Sequence, residues 1–249
     1  MLHYELTGHG EPLVLIHGFC ENNTCFDKQV LLLKEHCKLI LPDLPGAGKS
    51  ATIPNASIEL MADQVAELLQ HLNMEQANVI GHSMGGYVTL ALVKKYPHLV
   101  KRFGLLHSTA KPDDEGRKEK RDQAINVIQQ KGASFYAKNF IPPLFKNNTS
   151  TQLIEPLLSE AEKSSEQGLT QALLAMKNRP DSMAVIEQTE KPTFWGIGMY
   201  DELIPAQIML QQALKTQQPY ISLFNQSAHM AHIEEPETLA AHLLRFIKS

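Results

Sequence analysis

Cysteine is scarce in this chain. Cys20, Cys25 and Cys37 are its only thiols, and no Cys-x-x-Cys occurs. So small and odd a set excludes a disulfide framework, and without paired spacing a thiolate metal site is not expected. Aromatic residues are few, at 6% with a single Trp. No apolar run approaches the roughly 20 residues that a membrane span needs. The opening Met1-Leu2-His3-Tyr4-Glu5-Leu6 lacks a basic region followed by an apolar stretch, so no secretory signal is read there. Long runs of one charge are missing too. The basic cluster Arg117-Lys118-Glu119-Lys120-Arg121 is broken by Glu119 and flanked by Asp113, Asp114, Glu115 and Asp122. With a formal charge of −4, the chain is poorly matched to a phosphate backbone. These absences lead us to expect a cytoplasmic protein that binds neither nucleic acid nor membrane.

What is present is ordinary globular composition. The 249 residues are 43% apolar and 20% charged, with 14 Gly and 14 Pro. That length allows one large domain or two small ones. It buries roughly 70–75% of the unfolded surface, so no covalent or metal staple is needed.

Short continuous apolar runs recur along the first half: Leu13–His17, Leu39–Leu41, Ala77–Ile80 and Phe103–His107. Such runs suit strands buried on both faces, as in parallel sheets. Helical patterns lie between them. Ser57 reads as an N-cap, with Ile58, Met61, Val65, Leu68, Leu69 and Leu72 at helical spacing, and Met84 to Lys95 forms a second helix that stops before Tyr96-Pro97. Residues 109–190 break the pattern, offering helix candidates at 115–131, 151–164 and 167–177 and no convincing strand. Strand–helix alternation resumes with Thr193–Ile197, Pro205–Leu214, Ile221–Phe224 and Pro236–Ile247. The expectation is an α/β fold with a mostly parallel central sheet flanked by helices. Its core comprises residues 1–108 and 191–249, and a helical cap, 109–190, is inserted after the fourth helix-crossing strand.

The strongest chemical signal is Gly81-His82-Ser83-Met84-Gly85, a Gly-x-Ser-x-Gly placed between a strand and a helix. A nucleophile on so sharp a turn needs strained backbone, and bulky neighbours two residues away on either side would collide. Glycine relieves both contacts. The helix start beside Ser83 favours developing negative charge.

With this motif in place, the chain resembles the α/β-hydrolase-fold superfamily over nearly its whole length. The matching segments are His17-Gly18-Phe19, Asp43 through Ser50, the Ser83 turn, Gly198 through Pro205, and Ala228 through Pro236. Within that superfamily the segment Leu106–Ala110, with Arg121, Gly132 and Phe145, resembles small carboxylesterases and enol-lactone hydrolases. The resemblance implies Ser83 as nucleophile, His229 as base and Asp201 as the acid that orients it, in the chain order Ser, Asp, His. His229 is followed by Glu234 and Pro236 at the superfamily's spacing; His232 is the rival base, and Glu202 and Asp113 are weaker candidates for the acid. The backbone amides of Phe19 and Met84 are implied as the oxyanion hole. His17 and His82 read as packed or hydrogen-bonded histidines.

Two phosphate-binding patterns fail. A Walker loop needs Gly five residues before Gly48, where Asp43 stands, and Gly46-Ala47-Gly48 opens no helix before Pro54. No cofactor or metal is therefore expected. Asp43 through Ser50 instead fits a superfamily loop, departing from it at Ala47, where relatives often carry His. The reading that follows is acyl transfer from a small or medium ester or lactone to water. The alternatives are proton-abstraction elimination, like that of the menaquinone-pathway synthase, cofactor-free perhydrolase or haloperoxidase chemistry, and a non-catalytic ligand-binding member. Charge in the insertion is uneven. Residues 111–146 hold eight Lys/Arg against five Asp/Glu, whereas 150–190 hold three against seven. Lys111, Arg117 and Arg121 are thus candidates to meet a substrate carboxylate.

Overall fold

Four strands carry the apolar runs of the first half: β2 (Glu11–Ile16), β3 (Cys37–Pro42), β4 (Ala77–His82) and β5 (Val100–Leu106). With β6 (Thr193–Gly198) and β7 (Pro219–Phe224) they form a parallel sheet, edged by antiparallel β1 (Tyr4–Thr7). The strand order is β1-β3-β2-β4-β5-β6-β7 in the computed structural model, which describes residues 1–248. Every residue of β4 and β6 is buried, as continuous apolar strands in a covered parallel sheet should be.

Helices complete the α/β repeat. Between the strands lie α1 (Asp27–Leu33), α2 (Ile58–His71) and α3 (Met84–Lys95). Ser57 caps α2 as its sequence suggests, accepting from the Leu60 amide at 3.2 Å. After β5 come α4 (Glu115–Lys131), α5 (Ala133–Phe140), α6 (Thr151–Ala161), α7 (Glu166–Lys177) and α8 (Met183–Gln188). The sheet then resumes, with α9 (Ala206–Ala213) after β6, and α10 (Ala231–Glu234) and α11 (Pro236–Lys248) after β7. No helix among the described residues is long and apolar enough to cross a membrane.

Two features depart from the expected layout. The antiparallel edge β1 was not anticipated; the insertion follows β5, the fourth of the parallel strands, as expected. Residues 109–190 also hold five helices rather than three: α5 opens directly after Gly132, at φ 88°, where α4 ends, and the six-residue α8 precedes β6.

The insertion is tied to the sheet's loops at named points. The Phe19 ring meets the rings of Tyr136 and Phe140 edge-on, at centroid distances of 6.1 and 5.3 Å. The His229 amide donates to the Leu144 carbonyl at 2.9 Å. Glu234 accepts from the Lys146 amide and the Thr149 hydroxyl on the insertion side, each at 2.8 Å, and from the Ala228 amide at 2.9 Å. The sequence pattern that puts a Glu five residues after His229 thus has a mechanical basis: the carboxylate pins the His229 loop to the insertion.

Candidate active site

Ser83 sits between β4 and α3 with φ 50° and ψ −115°, a conformation that non-glycine residues rarely adopt. Packing enforces it. A Cβ on Gly81 would run into the Gly85 carbonyl, and one on Gly85 into the Ile16 carbonyl. Both glycines are therefore sterically required, and the serine between them is left half-buried at the head of a twelve-residue helix. The turn is held from β5: the Ser83 amide donates to the Leu106 carbonyl at 2.9 Å, and the Ser108 hydroxyl to the Ser83 carbonyl at 2.7 Å.

Asp201, in the loop after β6, is buried, and its carboxylate accepts four hydrogen bonds. The amides of Leu203 and Ile204 donate to Oδ1 at 2.9 Å each. On Oδ2 converge His229 Nδ1 at 2.8 Å and His107 Nδ1 at 3.3 Å. Burial alone would raise the Asp201 pKa, but the two histidines reverse this and hold it well below the carboxylate range. Because a carboxylate only accepts, His229 carries its proton on Nδ1. Its Nε2 is buried and has no hydrogen-bond partner, Ser83 Oγ included.

The structure brings Asp201 together with His229 and not with His232. The His232 ring lies instead against Phe26 and His82, with Nε2 3.8 Å from Glu21 Oε1 and neither nitrogen hydrogen-bonded. His17 is structural: it bonds the Gly18 carbonyl at 2.8 Å and accepts from the Leu44 amide at 2.9 Å. Neither the Phe19 nor the Met84 amide donates to another group among the described residues. The carboxylate of Asp43 organises its own loop, accepting from the amides of Asn23 at 2.8 Å and Lys49 at 3.0 Å. A Cβ on Gly48 would strike that carboxylate. The apparent phosphate motif is therefore a loop wrapped on an aspartate.

The cationic candidates are largely engaged. Arg121 pairs with buried Asp113 at 3.1 Å, and Arg117 donates to the Leu203 carbonyl at 3.0 Å. Asp113 also meets Arg179, at 2.8 Å, far from any role as the acid.

Two buried neighbours of the site escaped the sequence reading, Glu21 and His107. His107 adopts φ 48°, donates to Asp201, and through Nε2 accepts from the Ala231 amide at 3.3 Å. That pairing requires a neutral ring, and burial pushes its pKa down to about 4. Only Leu106–Ala110, within the resemblance, pointed to this position. Two buried groups, Glu21–His82–His232 and His107–Asp201–His229, each bring three side chains of metal-ligating type within 4.8 Å. Hydrogen bonds account for the Glu21–His82, Asp201–His107 and Asp201–His229 contacts, and we assign neither group to a metal.

Residues 11–236 match the model of the alpha/beta hydrolase fold family. The chain belongs to that family. Among its α/β-hydrolase relatives is a pimeloyl-[acyl-carrier protein] methyl ester esterase of Vibrio vulnificus, 30% identical over 98% of this chain and 97% of the relative. A solved thermophilic esterase from Thermogutta terrifontis superposes with TM-score 0.95 at 30% identity, covering 99% of this chain and 93% of that one. The enol-lactonase of Burkholderia xenovorans shares the fold, with TM-score 0.92 at 18% identity over 100% of this chain and 96% of its own. This α/β hydrolase is thus esterase-like in its family relations.

Proposed function

We propose that the protein is a serine hydrolase that cleaves a small or medium carboxylic ester or lactone through a Ser83–His229–Asp201 triad and an acyl-enzyme. The observation that carries this is His229 itself, with Nδ1 2.8 Å from Asp201 Oδ2 and a buried Nε2 that no other group engages. A serine hydroxyl is a poor nucleophile without a base, and this imidazole is in the tautomer that takes a proton at Nε2.

In the reaction, Ser83 Oγ attacks the ester carbonyl as His229 Nε2 takes its proton. The amides of Phe19 and Met84 receive the oxyanion, and the second of these heads α3. The imidazolium passes its proton to the leaving alkoxide, and the acyl group stays on Ser83. Water, deprotonated by His229, then attacks the acyl carbon and releases the acid. Asp201 stays ionised throughout, as its four donors dictate.

Residues 109–190 act in this reading as a cap over Ser83, supported by the Phe19 ring contacts and the Leu144 bond to His229. The named ester substrate of the Vibrio relative supports an acyl ester here. The chemistry uses no cofactor and takes place in the cytoplasm. Substituting Ser83→Ala tests the proposal. Turnover of p-nitrophenyl acetate and labelling by a fluorophosphonate should fall by at least about 10⁴-fold, with the thermal midpoint retained. Retained turnover overturns the assignment.

A further inference from the structure

His82 precedes the nucleophile and takes no part in the chemistry above, yet its ring is fully committed. Nδ1 lies 2.9 Å from Glu21 Oε2, and Nε2 lies 2.9 Å from the His229 carbonyl oxygen. That same Glu21 oxygen accepts from the Gly18 amide at 2.6 Å. A carbonyl oxygen accepts only, and a carboxylate oxygen engaged by an amide accepts as well. Burial would raise the Glu21 carboxyl, but the histidines facing it hold it below its ordinary range; opposite that carboxylate and a carbonyl, both ring nitrogens carry hydrogen, which makes His82 an imidazolium.

Resting on the triad reading, we propose that Glu21 and His82 form a standing carboxylate–imidazolium pair that positions the base, His229, through its main-chain carbonyl. The pair joins three segments that catalysis must hold together. Glu21 fixes Gly18, next to the Phe19 amide. His82 is the residue before Ser83. His229 is gripped on its ring by Asp201 and on its backbone by His82.

The surroundings keep the pair ionised. Both side chains are 1% exposed, so burial alone would neutralise both; each is the other's counterion, and that contact holds them charged. The titratable groups facing them are His17, the Cys25 thiol, His107, His229, His232 and Asp201. His232, with its ring 4.4 Å from His82, stays neutral because burial and the adjacent imidazolium both disfavour a second positive charge. The Cys25 thiol donates to Glu21 and is itself pushed up by burial, so it stays protonated. The His82 and His229 rings lie 5.1 Å apart. The base thus faces a fixed positive charge on one side and the Asp201 carboxylate on the other.

Nitrogen-15 NMR of histidine-labelled protein reads the pair directly. One imidazole should keep both nitrogens protonated from pH 6 to 9 and vanish in His82→Gln. In Glu21→Gln the same ring should lose a proton within that range. A bare ring nitrogen on His82 at pH 7.5 in the parent protein overturns the proposal. In kinetics, Glu21→Gln should lower kcat for p-nitrophenyl acetate about 10²-fold, the cost of a misplacement near 1 Å, with KM held within about twofold. The acid limb of the kcat/KM profile should move to higher pH, because the base loses a facing positive charge. The double variant Glu21→Gln/His82→Gln removes both buried charges together and guards against misfolding from a lone ion. It should keep the parent thermal midpoint and still show the kcat deficit and the moved limb; parent values of both would overturn the positioning role. Ser83→Ala should leave the imidazolium signature intact. If that variant keeps turnover, the triad reading has failed, while the NMR result still decides the ionisation of the pair.

Discussion

Replacing Asp201 with Asn changes one atom of the site and inverts the tautomer of its base. The four bonds on the carboxylate determine the outcome. Backbone amides of Leu203 and Ile204 donate to Oδ1, so an amide NH₂ there would face two donors. The Asn oxygen therefore takes the Oδ1 position, and its NH₂ faces the two imidazoles. His229 Nδ1, 2.8 Å away, must then accept, which moves the ring proton to Nε2 and removes the lone pair that Ser83 needs. His107 cannot follow, because its Nε2 already accepts from the Ala231 amide at 3.3 Å, so one hydrogen bond is lost at that ring in either tautomer. Loss of the correct base tautomer lowers kcat by roughly 10⁴-fold, or about 5.5 kcal/mol in the barrier. The orphaned buried donor costs about 1–3 kcal/mol of stability, which leaves a folded protein. The assay is steady-state hydrolysis of p-nitrophenyl acetate, with circular dichroism melting of the same samples. A kcat within tenfold of the parent, in a folded variant, would refute the tautomer argument.

Two further outcomes are expected. His107 is neutral when folded, with its pKa down to about 4 because of burial, against 6.5 ordinarily. Between these values the unfolded chain binds a proton that the folded chain refuses, so His107 contributes stability that is complete above pH 6.5 and drains away as pH falls to about 4. The contribution is on the order of 3 kcal/mol, and His107→Gln should flatten the urea-midpoint slope across that window; an unchanged slope would count against it. Glu234→Gln replaces one acceptor oxygen of the carboxylate that joins Lys146, Thr149 and Ala228. We expect a loss of about 1.5–3 kcal/mol in stability and a fall in kcat as the His229 loop loosens, measured by chemical denaturation and ester turnover. Parent stability would mean that the loop is held by other contacts.

Local signals made most of the fold legible. The buried strands β2, β4, β5 and β6 announce themselves as apolar runs because both their faces are covered. The Ser83 turn is legible because its glycines are demanded by backbone contacts between neighbours in sequence. Strand β1 was invisible because an edge strand of four partly exposed residues needs no apolar pattern. Helices α5 and α8 were not read because eight and six residues are too few to sustain a helical period. Glu21 and His107 were missed for a different reason. Their partners lie 61 and 94 residues away, and no periodicity or spacing records a contact at that range.

The four buried histidines around the site are individually ambiguous in sequence, yet hydrogen-bond partners fix the protons on two of them. His82 meets two acceptors and holds two protons. His107 meets one acceptor and one donor and holds one. His229 meets one acceptor on its ring and leaves the other nitrogen open. His232 has no partner, and burial with a neighbouring imidazolium keeps it neutral. With these assignments the charges of Glu21 and His82 cancel, and Asp201 is left as the one uncompensated charge in the cluster. Protonating His229 removes that imbalance, and it does so in contact, at 2.8 Å, where the attraction outweighs the repulsion from the more distant His82 ring. With His229 in its neutral Nδ1–H form the cluster is therefore one proton short of neutrality. In the triad reading, that missing proton is the one the base takes from Ser83.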